Sequence, residues 1–163
     1  MATAIIGAAG EHYVAFQLLA RGYTAALTPK NSNGVDILAC NRDGSGQVAI
    51  QVKTADNAER YTGTHRTGSL CELDFPLKRK YAEPRGSENL IFAFVDLHNK
   101  QDDNKDPDVY VVPSEFVHAH CEEWVAANGF TTKIRNEYLN QFTDQFKNNW
   151  KLIEDKLKAS ATS

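Results

Sequence analysis

Asp36 stands between Val35 and Ile37 in an apolar run, and Gln51 and Lys53 alternate with Ala49, Ile50 and Val52 a few residues later. A buried strand has no structural use for such side chains. Placing even an unpaired neutral polar group in apolar surroundings costs roughly 2–7 kcal/mol, and a charge costs more. They persist where they pair with one another or hold a metal ion. A hard divalent cation takes oxygen ligands and binds through one or two carboxylates plus substrate phosphate. In that chemistry Asp36 is the principal ligand, Gln51 offers a weaker amide oxygen, and the backbone carbonyl of Val52 lies close by. Lys53 can stabilise charge developing on a phosphate, or position and help deprotonate the attacking water. Glu11 could complete the set directly or through water. The reaction such a set serves is metal-assisted phosphodiester hydrolysis. The competing reading is a buried Asp36–Lys53 ion pair with Gln51 hydrogen-bonded to backbone, which is a weak device for stability.

These residues need two strands in register and a helix beneath them. Residues 7–21 read as a helix ended by Gly22, with Val14, Ala15, Leu18 and Leu19 forming its apolar stripe and Glu11 on the same stripe, pointing inward. A short strand is expected over 23–27, then a turn-rich loop, then strands over 34–40 and 47–53 joined through Asn41–Gly46. A two-residue turn at Asp43-Gly44 would set Asp36 opposite Gln51, with Lys53 diagonal on the same side. A slip of one residue would divide them between faces. Val35, Ile37 and Ala39 then share the other face with Val48, Ile50 and Val52.

Farther along, residues 55–74 show no clear period and read as a loop or flexible hairpin, and 76–83 as a short basic helix. Leu90–Leu97 is a continuously apolar strand buried on both faces. An acidic, solvated loop spans Asn99–Asp106, and a strand follows over 109–112. A helix is expected from Pro113-Ser114 to about 128, stopped by Gly129. A last helix over 136–158 carries Tyr138, Phe142, Phe146, Trp150, Ile153 and Leu157 at three- and four-residue steps, a core or dimer stripe. The order of elements predicts an α/β sandwich around a mixed sheet.

The arrangement resembles the PD-(D/E)XK nuclease superfamily, whose pattern is an acid on one strand and an acid-any-Lys triplet on the next. Asp36 matches the first acid, and Gln51-Val52-Lys53 matches the triplet with Gln in place of its acid. Glu11 matches the helix-borne glutamate of the archaeal Holliday-junction-resolvase branch, and Gly10-Glu11, Leu18-Leu19-Ala20-Arg21-Gly22-Tyr23 and Asn31–Asp36 look like that branch. The Gln variant is also found in active Mrr-type restriction enzymes. The resemblance covers about residues 7–54, and Leu90–Leu97 and Tyr110–Pro113 look like the later strands of small bacterial members. It implies a restriction-endonuclease-like fold with an αβββαβ core and a C-terminal helical addition. It further implies catalytic residues Asp36, Gln51, Lys53 and Glu11, with Mg²⁺ or Mn²⁺ held by Asp36, Gln51, the Val52 carbonyl and Glu11. DNA is the implied substrate, in restriction, repair or junction resolution. Cutting two strands needs two sites, which suits a homodimer. Gln51 removes one negative charge from the cation site, so the rival is a weak or inactive nuclease-fold protein that binds nucleic acid or a protein partner. An accessory role in a defence or toxin system is a third reading.

With 163 residues, 42% apolar and 24% charged, the chain suits one nuclease-like domain over 1–163, its core at about 7–113 and helices at about 114–158. A net charge of −3 argues mildly against tight non-specific DNA binding. Local contacts are still available from Arg60, Arg66, Lys78, Arg79 and Lys80, with Arg85 nearby. Those residues read equally as a solvated face. Three scattered cysteines suggest no disulfide framework and a reducing, cytoplasmic setting. The N-terminal apolar run lacks a basic region and is broken by Glu11 and His12, so neither signal peptide nor membrane span is expected. His118, His120, Cys121 and Glu122 look like a metal cluster, but on a helix His120 points away from the others. Ordinary satisfied or solvated histidines are the better reading. Tyr61, His65 and Arg66 fall in the loop beside the site, where phosphate contacts and an ordinary loop are equally good readings.

Overall fold

The computed structural model describes residues 3–29, 34–63, 68–79, 89–99, 105–124 and 131–161. Helix α1 (Thr3–Ala20) buries Gly10, Val14, Ala15 and Leu18. It ends where Gly22 takes a positive φ of 87°. The Tyr23 N–H then donates to the Leu18 carbonyl at 3.1 Å and the Gly22 N–H to Leu19 at 2.9 Å. That is a Schellman stop, and it turns the chain back towards the sheet.

Strands β1 (Thr24–Leu27), β2 (Ile37–Cys40), β3 (Gln47–Ala55), β6 (Leu90–Asp96) and β7 (Asp108–Pro113) build a five-stranded sheet in the order β1-β2-β3-β6-β7. β3 and β6 run parallel, and the other neighbours are antiparallel. The β2–β3 register pairs Ile37 with Ile50, Leu38 with Ala49 and Ala39 with Val48, the expected one. The loop itself is longer than two residues: the Asn41 N–H donates to the Ser45 carbonyl at 3.0 Å. Gly46 is required there, because a Cβ would lie 2.1 Å from the Leu157 carbonyl oxygen.

Within the stretch expected as a loop or flexible hairpin, 59–61 and the strand from 70 belong to a second sheet. Strands β4 (Glu59–Tyr61), β5 (Leu70–Phe75) and β8 (Thr132–Arg135) pair in the order β4-β5-β8. β8 was not foreseen. Where one helix was expected from 114, the chain forms α2 (Ser114–Ala119) and α3 (Cys121–Trp124); residues 125–128 lie outside the described set. The expected final helix is two, α4 (Asn136–Phe146) and α5 (Lys151–Ala161). They are separated by Asn148 at a positive φ of 52°. The basic helix expected over 76–83 lies mostly outside the described residues.

Side-chain alternation divides the core in two. Ile37, Ala39, Val48, Ile50, Val52, Ile91, Ala93, Val95, Val109 and Val111 face α1 and α5. Phe92, Phe94, Tyr110 and Val112 face the small sheet and α2–α4, against Leu73, Phe75, Ile134, Phe142 and Phe146. β6 is therefore buried throughout, as its unbroken apolar run requires. The interruption at 147–149 carries the chain around the β7 edge, where the Asn148 N–H donates to the Val109 carbonyl at 2.6 Å. The aromatic stripe seen in the sequence is thus cut: Phe142 and Phe146 pack on one face of the sheet, Trp150, Ile153 and Leu157 on the other. The result is the expected α/β architecture, a central mixed sheet with flanking helices and a helical C-terminus.

Candidate functional site

Alternation fixes where the site residues go. Ile50 and Val52 face α1, so Gln51 and Lys53 point to the opposite side of β3. Asp36, immediately before β2, shares that side with Leu38. Its backbone is clamped at the strand end, its N–H donating to the Ile50 carbonyl at 2.9 Å and its carbonyl accepting from the Thr28 N–H at 3.0 Å. Its carboxylate Oδ2 accepts the Val52 N–H at 2.7 Å. The Lys53 ammonium, half-buried, donates to the Val52 carbonyl at 3.1 Å. Both charged groups therefore meet at the backbone of one residue, Val52, with Gln51 beside it at 3% exposure. The Val52 carbonyl, expected as a metal ligand, here accepts the lysine. The same face lies open over the first two strands: Leu38 is 54% exposed and Ala26 is exposed as well.

Glu11 is half-buried on α1, which packs on the other face of the sheet. Its neighbour Gly10 closes on Thr54, where a Cβ would meet the threonine Oγ1 at 1.9 Å. Glu11 therefore sits at the C-terminal end of β3, one residue beyond Lys53, and could reach the other three only around that strand end.

The basic residues are dispersed. Arg60 on β4 pairs with Asp74 at 3.5 Å and donates to the Asn57 carbonyl at 2.8 Å. Lys78 is exposed and Arg79 half-buried, while Arg66 and Lys80 fall outside the described residues. On α2, His118 lies edge-on to Phe92 at 6.3 Å, and burial lowers its pKa. His120 stacks between Phe116 at 4.3 Å and Trp124 at 4.8 Å, with its Nδ1 2.8 Å from the Phe116 carbonyl.

A second polar group was missed in the sequence. It lies where β6 ends and β7 begins, next to the start of β4. Asp96, His98 and Asp108 are buried there, with Glu59 half-buried. His98 Nε2 lies 2.7 Å from Asp108 Oδ2, which Lys147 approaches to 2.8 Å and Lys105 to 3.3 Å. Burial raises the Asp108 pKa, but the hydrogen bond and charge of Lys147, with His98 and Lys105, outweigh it and hold the carboxyl below its ordinary value. Asp96 goes the other way: complete burial pushes its pKa up, against the N–H groups of His98 and Ala58. Ligand atoms of Glu59, His98 and Asp108 lie within 4.8 Å of one another, a group that could bind a metal ion. The signal was present in the sequence, for Asp96 interrupts Val95-Asp96-Leu97 as Asp36 interrupts Val35-Asp36-Ile37.

No protein-family model matches the sequence, and no curated protein does. Among solved structures the fold is similar to that of a bacterial homing endonuclease. The identity is 13%, the TM-score 0.58, and 99% of each chain is covered. Among the described residues no helix is long and apolar enough to cross a membrane.

Proposed function

We propose that this chain is a metal-dependent endonuclease that hydrolyses phosphodiester bonds in DNA, a QxK variant of the PD-(D/E)XK superfamily. The observation that carries the reading is the meeting of Asp36 and Lys53 at the N–H and carbonyl of Val52, with buried Gln51 beside them, next to the sheet face left open over β1 and β2. The fold-level likeness to an endonuclease over the whole chain supports it. Asp36, Gln51 and the Val52 carbonyl, with Glu11 from the strand end, form an all-oxygen donor set suited to Mg²⁺ or Mn²⁺. Such an ion, when bound, polarises the phosphate and acidifies its water.

The protein groups have separate tasks. The Val52 N–H anchors one oxygen of Asp36, which orients the other towards a ligand. Gln51 contributes a neutral oxygen, so the site carries less negative charge than an acidic triplet would. Lys53, moved from the Val52 carbonyl to a scissile phosphate, stabilises the charge that develops there. All of residues 1–163 act as one nuclease-like unit in the cytoplasm, and two copies would cut a duplex or a junction.

The test is cleavage of supercoiled, linear and branched DNA by the purified protein with Mg²⁺ or Mn²⁺. Wild type nicks or cuts at least one substrate. Asp36→Asn abolishes cleavage, and Lys53→Ala lowers it by roughly 10²–10³-fold, the usual effect of removing one charge-stabilising donor. Cleavage by both variants at the wild-type rate would remove the site assignment. Absence of any cleavage by wild type with either metal would remove the activity.

A further inference from the structure

We infer that the buried group at the β6–β7 end is a second, separate metal site. It binds one transition-type divalent cation through His98 Nδ1, Asp96 Oδ2 and Glu59, with Asp108 orienting the histidine from behind.

The argument begins with the histidine. Asp108 Oδ2 lies 2.7 Å from His98 Nε2, with Lys147 at 2.8 Å and Lys105 at 3.3 Å on the same oxygen, so the carboxylate is placed to accept the Nε2–H. In the neutral ring this leaves Nδ1 as a lone pair. Nδ1 faces Asp96 Oδ2 at 3.5 Å and Glu59 Oε2 at 3.8 Å. Both distances are too long for good hydrogen bonds. Asp96 makes the case independently of the cluster. It is 0% exposed, its Oδ1 accepts the N–H groups of Ala58 at 3.0 Å and His98 at 2.9 Å, yet its Oδ2 accepts no hydrogen bond from the described residues. A buried carboxylate oxygen so placed, aimed at a ring nitrogen, is a costly arrangement that a cation between them relieves.

The 3.5 Å between Nδ1 and Asp96 Oδ2 suits one, and Glu59 Oε2, at 3.8 Å, would close by a few tenths of an ångström. Zinc–nitrogen and zinc–oxygen bonds of about 2.0–2.2 Å put tetrahedral neighbours roughly 3.3–3.6 Å apart. A histidine whose remote N–H is held by a carboxylate, leaving the other nitrogen for metal, is the usual arrangement at such sites. The remaining groups are positioned for the same end: Tyr61 Oη donates to Glu59 Oε2 at 2.8 Å, fixing that carboxylate. One imidazole with carboxylates favours Zn²⁺ or Mn²⁺ over Mg²⁺, in contrast to the all-oxygen set at Asp36. Because Glu59 belongs to β4 and Asp96 to β6, the ion would fasten the small sheet to the central one.

The experiment is calorimetric titration of chelator-treated full-length protein with ZnCl₂, paired with thermal unfolding with and without zinc. Wild type binds one equivalent at this site and melts at a higher temperature with zinc. Glu59→Gln and Asp96→Asn each lower the affinity at least tenfold and remove the shift. Asp36→Asn leaves both unchanged. Asp96→Asn retains an acceptor for its two N–H groups and adds a donor towards Nδ1, so its zinc-free melting temperature does not fall and loss of binding cannot be ascribed to unfolding. Absence of zinc binding in wild type, or binding retained in both cluster variants, would overturn the inference, as would binding lost in Asp36→Asn.

Discussion

The two polar groups on the central sheet use the same residue types to opposite ends. Around Val52, a carboxylate and an ammonium lean on one backbone unit and lie half-buried beside an uncovered face. At the β6–β7 end, three carboxylates, a histidine and two lysines close over one another, and Asp96, His98 and Asp108 are nearly removed from solvent. Backbone donors and acceptors hold Asp36 and Lys53 in the first group, so a side chain there can turn to a ligand without leaving a fully buried charge behind. In the second group Asp108 is held by His98, Lys147 and Lys105, and removing it leaves their donors without that acceptor, which costs more than the contacts themselves contribute. Exposure and partner type, rather than composition, separate the two groups.

Paired stability measurements would break this contrast most readily. Asp108→Asn should cost about 1.5–3 kcal/mol, because Lys147 loses its counter-charge and His98 a charged acceptor. Asp36→Asn keeps an acceptor for the Val52 N–H and should change stability by less than about 1 kcal/mol. Equal costs in urea unfolding would mean that the Asp36 group is also structural. The Asp108 effect should also be acid-sensitive. Its folded pKa lies below the unfolded value near 3.8, so its contribution is present above that value and is lost as pH falls through the depressed one. The wild-type advantage over Asp108→Asn should therefore vanish only at strongly acid pH.

A smaller effect is expected from Gly10→Ala. Alanine favours the helix by about 1 kcal/mol, but its Cβ would collide with Thr54, and overpacking costs typically 1–3 kcal/mol. A net loss, partly recovered by adding Thr54→Ala, would establish that close helix–strand contact places Glu11 at the end of β3. A gain in stability would show that α1 can shift freely there.

How much of this was legible depended on range. The β2–β3 hairpin was readable because its polar and apolar residues alternate on either side of a turn-forming run, and parity survives a loop of different shape. Here the Ser45 N–H caps Asp43 Oδ1 at 3.0 Å in place of a two-residue turn, yet Cys40 still pairs with Gln47. The last helix was misread because its aromatic spacing continues through the break. Only the β7 edge, which receives Asn148, decides that Phe146 and Trp150 belong to opposite faces. β8 is four residues long, and it exists because β5 offers an edge to pair with. The His98 group was missed because its members come from three strands and a turn between helices. Asp108 stands just before the expected strand and Lys147 inside the expected last helix, and their pairing appears only when β7 and the α4–α5 turn meet.

The central claim is that the Asp36 face binds a catalytic divalent cation. A crystal structure of the protein soaked in Mn²⁺, with anomalous data, tests it most directly. The account predicts a peak bonded to Asp36 and to the Gln51 amide oxygen, with Lys53 withdrawn from the Val52 carbonyl, and no such peak in Asp36→Asn. Manganese at the His98 group alone, with Lys53 still on Val52, would contradict it.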